Sequence, residues 1–246
     1  LIGYRGMLLR PLGPTLNAYR AVFKNPSVLT GYANTLLIVI LGTTLNVVMT
    51  SMAAFLLTRK RFAIKNIMAY MMLFTMYFSG GLIPTYLLVY NVLGLGDTIW
   101  ALILPTAIST YNMIIMRSNF AGIPPSLEES ASIDGAGEFL IFTKIVLPLS
   151  KPILAVMVLF YGVGHWNSWF NAMIYLRTRS KFPLQLILRE ILLSGSADQM
   201  AGSSGAEQYA LGESVKYATT VVATLPILLV YPFIQRYFVK GIMIGA

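Results

Sequence analysis

No Asp, Glu, Lys or Arg occurs from Asn25 to Thr58, from Asn66 to Gly96, from Thr98 to Met116, from Pro152 to Leu176, or from Tyr217 to Gln235. A bilayer's hydrocarbon core is about 30 Å thick, and roughly 20 apolar residues of helix cross it. Each run meets or approaches that length, which predicts spans near 34–57, 67–90, 99–118, 151–171 and 215–238. The runs are continuously apolar rather than alternating, the pattern of helices and not of barrel strands. With 57% hydrophobic and only 11% charged residues, the chain cannot cover a water-facing surface. An all-α, polytopic transmembrane helical bundle follows. Disorder, nucleic-acid binding and a cytosolic enzyme are disfavoured.

Reactive side chains are scarce. There is no cysteine, so thiolate metal sites, disulfides and cysteine nucleophiles are absent, and with a single histidine a His-based metal cluster or a His-paired serine would rest on His165 alone. No catalytic residue and no metal site are expected, and His165 reads as a hydrogen-bonded structural residue. The sequence begins at Leu1 rather than Met, so its true start is expected to be missing and a signal peptide cannot be judged.

Several runs carry helix breakers: Ser79-Gly80-Gly81 and Pro84, then Pro105, then Pro226 and Pro232. Interrupted helices near the midplane often border a transport route, although Gly and Pro also serve ordinary packing. Arg59, Lys60, Arg61 and Lys65 cluster in one short loop, which argues that this loop is cytoplasmic. Alternating from there puts segment 1–33 outside, the loop 119–150 inside, the loop 172–214 outside and the C-terminus inside, with 34–246 as the membrane domain. Lys and Arg divide equally between the two sides, so the tight cluster decides.

The loop between the third and fourth runs is the most informative. Pro124 and Pro125 end the preceding structure, and Ser126 with Glu129 forms a capping-box pattern. A short helix is expected from Leu127 to about Asp134, stopped at Gly135, where a Cβ would hinder a turn. A second short helix follows, offering Phe139, Ile141 and Phe142 for packing, and Pro148 is expected to begin the next span. A helix–Gly–helix elbow between two spans reads as a docking element for a cytoplasmic partner. A plain connecting helix is the alternative on spacing alone.

At these residues the chain resembles a known family. Glu129-Ser130-Ala131, Asp134-Gly135-Ala136 and Ile145-x-Leu147-Pro148 are similar to the Glu-Ala-Ala loop of ABC importer permeases, with Ser130 where Ala is usual. Asn34-Thr35 and the run Gln235-Arg236-Tyr237-Phe238-Val239-Lys240-Gly241 resemble the carbohydrate, maltose-permease branch. Gly164-His165-Trp166-Asn167-Ser168-Trp169-Phe170-Asn171 and the long loop after it look most like permeases for polysaccharide-derived oligosaccharides.

The resemblance implies the type I importer permease fold, with five of a usual six spans present and the first missing. It also implies the partners: a second, homologous permease in a heterodimer, two ABC ATPase subunits, an extracytoplasmic solute-binding protein and the oligosaccharide. ATP and Mg would be used by the partner ATPase, and no cofactor would be bound by this chain. Glu128, Glu129, Ala131, Asp134, Gly135 and Ala136 would form the coupling loop that sits in an ATPase cleft. The sequence agrees that the motor lies elsewhere, since it has no Gly-x-x-x-x-Gly-Lys-Ser/Thr phosphate loop.

Polar and amphipathic residues within or beside the runs are candidates for the substrate path: Asn46, Tyr77, Ser79, Tyr86, Tyr111, Asn112, Trp166 and Asn167. Flat apolar faces and amide groups suit sugar rings, while interhelical hydrogen bonding and interfacial anchoring are the plainer roles. Arg177, Arg179, Lys181 and Arg189 make the outer loop cationic, which suits an acidic saccharide or an acidic face of the binding protein. An ion-gradient-driven transporter would need ionisable residues within the membrane, and the five runs have no Asp, Glu, Lys or Arg. A permease for another small solute, such as glycerol phosphate, is the other alternative.

Overall fold

A computed structural model describes residues 16–59, 62–200 and 214–229 together with Pro232, except for the side chains of 194–200. Among these residues the chain is helical, without strands. A short helix α1 (Asn17–Lys24) leads into α2 (Pro26–Thr58), the longest element at 33 residues. Asn25 starts α2, its side chain accepting the Ser27 N–H at 3.0 Å, with Pro26 at the first helical position.

The polarity of α2 is inverted relative to a soluble helix. Its buried positions include Gly31, Thr35, Gly42, Thr43, Asn46, Thr50 and Ser51, while Leu29, Leu36, Ile40, Val48, Met52 and Leu56 are exposed. Many small and polar residues face other helices and most large apolar ones face outward, which is the arrangement lipid selects. Gly42 is required by contact: a Cβ there would lie 2.5 Å from His165 Nε2 on the neighbouring helix.

The remaining elements are arranged around α2. Helix α3 (Lys65–Tyr77) and α4 (Leu82–Leu87, prolonged by a π turn Leu88–Val92) meet at 116°, broken where Gly80-Gly81 was expected to interrupt the second run. The third run is also broken. Helix α5 (Trp100–Ile103) passes through a 3-10 turn at Leu104–Thr106, which contains Pro105, and α6 begins only at Thr110 and ends at Ala121. Next come α7 (Pro125–Ile133), α8 (Glu138–Ile141), a π turn Phe142–Val146 and a single turn α9 (Leu147–Leu149). Helix α10 (Lys151–Trp166) leaves this segment at 83°. Pro148 therefore does not open the next span: it lies in α9, and the chain turns at Ser150 before α10 starts. Helix α11 (Phe170–Tyr175), α12 (Leu184–Met200) and α13 (Ser214–Leu229) complete the described chain. Pro226 lies within α13, and the end of the fifth expected span, 230–238, falls outside the described residues apart from Pro232.

By length and apolarity, α2 alone among the described residues crosses a membrane as one helix, and up to three spans form if each bent pair is one span. Three apolar clusters hold the bundle, and α2 contributes to all of them. Toward its C-terminal end, Phe55 and Leu57 pack with Met113, Met116, Ile141, Phe142, Met157 and Tyr161. At its N-terminal end, Val28 meets Val22, Trp166, Leu184, Ile187 and Val222. Ile38 joins Val89, Leu102, Ile103 and Tyr175.

Candidate coupling site and membrane interior

The elbow forms as the sequence indicates, with one local difference. Pro125 takes the first helical position of α7 and Pro124 precedes it, so the helix opens earlier than Leu127 and without a side-chain cap. The Ser126–Glu129 capping box is therefore absent: both residues lie inside a helix that a proline has already started. The far end is a Schellman motif. The Ala136 N–H reaches the Ala131 carbonyl at 2.9 Å and the Gly135 N–H reaches Ser132 at 3.2 Å, with Gly135 at φ +82°. Only glycine adopts that conformation without cost, and a Cβ at Gly135 would meet nothing within 4 Å among the described residues. The backbone, rather than internal crowding, explains the residue.

The elbow is bolted to α2 by a residue that sequence reasoning used only for orientation. Arg59, at the C-terminus of α2, makes a two-pronged ion pair with Glu128: Nη1 lies 2.7 Å from Oε2 and Nη2 donates to Oε1 at 2.7 Å. Its guanidinium also reaches Glu138 at 3.4 Å, at the start of α8, and lies 4.1 Å above the Phe55 ring. One arginine thus joins α2 to both arms of the elbow. The Arg59 and Glu128 side chains are only 15% and 20% exposed, which removes much of the solvent screening that weakens surface pairs.

The six coupling candidates divide by orientation. Ala131 and Ala136 are half-buried against the core cluster that contains Phe55 and Phe142. Glu128 is held by Arg59. Glu129, Asp134 and Gly135 are exposed, and Glu129 and Asp134 make no ion pair among the described residues. Among the described residues, Glu129 neither caps the helix nor pairs with a base. Beside them Ile133 is 86% and Phe139 74% exposed. Phe139 does not pack inward as expected; Ile141 and Phe142 do, because α8 turns those two toward α2. A groove of about 780 Å³ runs alongside, lined by Arg59, Lys65, Arg117, Glu128, Glu129 and Ile133 among others.

In the interior, polar side chains satisfy backbone groups freed where the third run breaks. Asn46, fully buried, donates through Nδ2 to the Thr106 carbonyl and accepts at Oδ1 from His165 Nε2 at 2.9 Å. Because Nδ2 is already a donor, Oδ1 is the acceptor and the proton sits on Nε2. Tyr161 OH accepts the Ser109 N–H at 3.1 Å and shares a hydrogen bond of 2.7 Å with Thr50. Unsatisfied backbone at this depth is costly, which accounts for a polar ladder between α2 and α10.

The path candidates separate accordingly. Asn46 and Asn112 are buried, and Trp166 is buried with its indole N–H on the Ala223 carbonyl at 3.1 Å. Tyr86 is half-buried in a stack between Tyr90 and Tyr175, with ring centroids 5.3 and 5.8 Å away. Tyr77, Ser79, Tyr111 and Asn167 are exposed, Asn167 bonding back to the Val163 carbonyl of its own helix.

At the other end of α2, Asp97 staples two loops. It adopts φ +53° in the turn before α5, and its carboxylate accepts the Arg177 and Thr178 N–H groups at 2.9 and 3.0 Å. The Thr178 hydroxyl donates at 2.6 Å, and Lys181 Nζ lies 2.9 Å away. Lys181 foremost, with the Thr178 and Arg177 donors, holds this carboxyl far below the usual range. A carboxyl depressed on folding contributes stability above its unfolded pKa of about 3.9 and loses it as pH falls through the folded value. The staple is therefore constant across the neutral range. Asp97→Asn, which tolerates positive φ and keeps an acceptor, should leave the loop closed. Asp97→Ala should speed tryptic cleavage after Arg177, Arg179 and Lys181 by about tenfold, because the carboxylate no longer holds the loop against local opening. Equal cleavage rates in wild type and Asp97→Ala would contradict the staple.

Comparison with known proteins agrees with this architecture. A family model described as "Binding-protein-dependent transport system inner membrane component" matches residues 46–244. Protein LplC of Bacillus subtilis is 41% identical over 245 residues, covering 100% of this chain and 83% of the relative. The polygalacturonan/rhamnogalacturonan transport system permease protein YtcP of the same organism is 42% identical over 245 residues, covering 97% and 84%. Among solved structures, a crystal structure of a bacterial ABC transporter involved in the import of the acidic polysaccharide alginate superposes with TM-score 0.83 at 31% identity, covering 95% of this chain and 84% of that one. With an inner-membrane family model spanning most of its length, and permeases matching it nearly end to end, the chain belongs to the binding-protein-dependent transport system inner membrane components.

Proposed function

We propose that this permease carries oligosaccharides released from acidic polysaccharides through the membrane, driven by separate ATPase subunits that dock on the elbow. As a family member it works with an ATPase and a binding protein. The observation that carries the coupling reading is the division of α7. Ala131, Ala136 and Glu128 fasten the elbow to the bundle, while Glu129, Ile133, Asp134 and Phe139 face outward, and Glu129 and Asp134 make no ion pair among the described residues. Exposed apolar residues with charges at their rim are what a protein partner covers.

In this reading the elbow faces the cytoplasm, with ATP and Mg bound by the ATPase and no cofactor held by this chain. ATPase closure moves α7, and the Arg59 clamp delivers that motion to α2. Because α2 is unbroken and holds Asn46 and Thr50, it carries the displacement to the interrupted segment at 104–109. A second, homologous permease completes the path. Helix α3 buries no residue and leaves Tyr70, Phe74 and Tyr77 exposed for it. The acidic substrate is supported by the side chains of Arg177 and Arg189, which pair with no carboxylate among the described residues, and by the names of the polygalacturonan and alginate relatives.

The test is reconstitution in proteoliposomes with the partner permease, the ATPase and the binding protein. ATP hydrolysis stimulated by binding protein loaded with an oligogalacturonate, and accompanied by its uptake, is expected. A permease that purifies without an ATPase under mild detergent, or a complex stimulated only by an unrelated solute, would contradict the reading.

A further inference from the structure

The four cations expected to form one outer patch are sorted by the structure into separate contacts. Lys181 is held by Asp97, and Arg179 reaches Glu190 at 3.1 Å in an exposed pair. Arg177 lies exposed above Tyr90, 5.0 Å from the ring centroid. Arg189 is different. It projects from α12, half-buried, with its guanidinium carbon 3.8 Å from the centroid of the Trp169 ring. Among the described residues its one hydrogen bond is to the Met173 sulfur at 3.2 Å, a weak acceptor, and no carboxylate pairs with it.

A guanidinium laid on an indole is fixed in plane by the cation–π attraction and loses water from one face. The N–H groups not turned to Met173 meet no carboxylate among the described residues, and they form a flat fork that matches a carboxylate with two parallel bonds. Such a fork, oriented in advance and lacking an anion, is a receptor for one. Its surroundings suit the rest of a sugar acid. Phe170 stands edge-on to Trp169 with centroids 5.5 Å apart, and Phe170 and Met173 are both exposed, offering apolar surface to the C–H face of a pyranose. The platform forms where the chain breaks between α10 and α11, next to the segment that holds His165 and Trp166 in the bundle.

We infer that Arg189, stacked on Trp169, is a subsite that reads the carboxylate of a uronate residue on the saccharide as it passes this subunit. The inference rests on the saccharide-importer reading above and adds to it the chemical group recognised and the residues that recognise it.

The complete complex in proteoliposomes provides the test. Uptake of an oligogalacturonate and of its methyl ester is measured for wild type, Arg189→Gln, Arg189→Lys and Arg179→Gln. Each rate is divided by the wild-type rate for the same saccharide, so the binding protein's own preference cancels. Arg189→Gln should lower relative uptake of the free acid by about tenfold or more, as expected for loss of a charge-assisted pair, and leave the ester near wild type. Arg189→Lys, which keeps the charge without the fork, should fall between, and Arg179→Gln should behave as wild type. Basal ATPase activity reports assembly in every case. Equal losses for acid and ester would assign Arg189 a structural role and overturn the subsite, as would no loss for either. Wild-type complex that moves neither saccharide would overturn the importer reading itself and the subsite with it.

Discussion

Gly135→Trp should insert and assemble but lose nearly all transport. The φ of +82° at Gly135 costs an ordinary residue about 1–2 kcal/mol, and no described residue would meet a Cβ there within 4 Å. A single-chain view therefore predicts a small, uniform penalty for any side chain. Docking of the elbow into a partner predicts a size-dependent one. Gly135→Asn, which tolerates positive φ, should retain most uptake. Gly135→Ala should lose a little through the backbone. Gly135→Trp should lose more than about thirtyfold, the consequence of roughly 2 kcal/mol of clash in a covered surface. Proteoliposome uptake, with basal ATPase and size-exclusion profiles as controls, decides between the two. Uptake by an assembled Gly135→Trp variant equal to that of Gly135→Ala would show that nothing closes over this position.

The second large effect belongs to Arg59. Truncation to alanine leaves Glu128 and Glu138 without their shared cation and frees both arms of the elbow from α2. Removing one member of a fully buried ion pair costs about 3–5 kcal/mol. At 15% and 20% side-chain exposure the expected loss is smaller, about 2 kcal/mol after allowing for screening. Lys65 and Arg117 line the same groove and offset part of the lost charge. The informative readout is therefore coupling rather than stability. In Arg59→Ala, ATP hydrolysis should continue while uptake falls by at least about tenfold, because α7 still docks but no longer moves α2 as a unit. Glu138→Gln, at the longer and more exposed contact, should change the ratio little. Parallel loss of hydrolysis and uptake in Arg59→Ala would assign the clamp to assembly alone.

What the sequence made readable follows from which interactions are local. Runs without charge announce apolar helices, and Gly80-Gly81 and Pro105 announce breaks, because glycine and proline act through their own backbone. Gly135 was legible for the same reason, since a helix stop needing positive φ is written in one residue. The clamp was not, because Arg59 and Glu128 are 69 residues apart and each alone reads as a surface charge. Asn46 shows the middle case. An amide in an apolar run must bond to something, but Thr106 and His165 as its partners are properties of the packing. The Arg177–Arg189 patch shows the opposite error, for residues close in sequence and alike in charge are separated by what each touches. The capping box failed because a proline at the first helical position starts α7 before Ser126 can cap it.

The absence of cysteine allows a direct test of the central claim that ATPase docks on the exposed face of α7. Ile133→Cys places one thiol at an exposed position on that face, and Asn167→Cys places a control at the far end of α10. With a short bifunctional maleimide in assembled, transport-competent complex, Ile133→Cys should give a covalent adduct with the ATPase subunit whose yield changes on ATP binding, and Asn167→Cys should give none. An Ile133→Cys thiol that forms no adduct, and stays freely labelled throughout the transport cycle, would contradict the account.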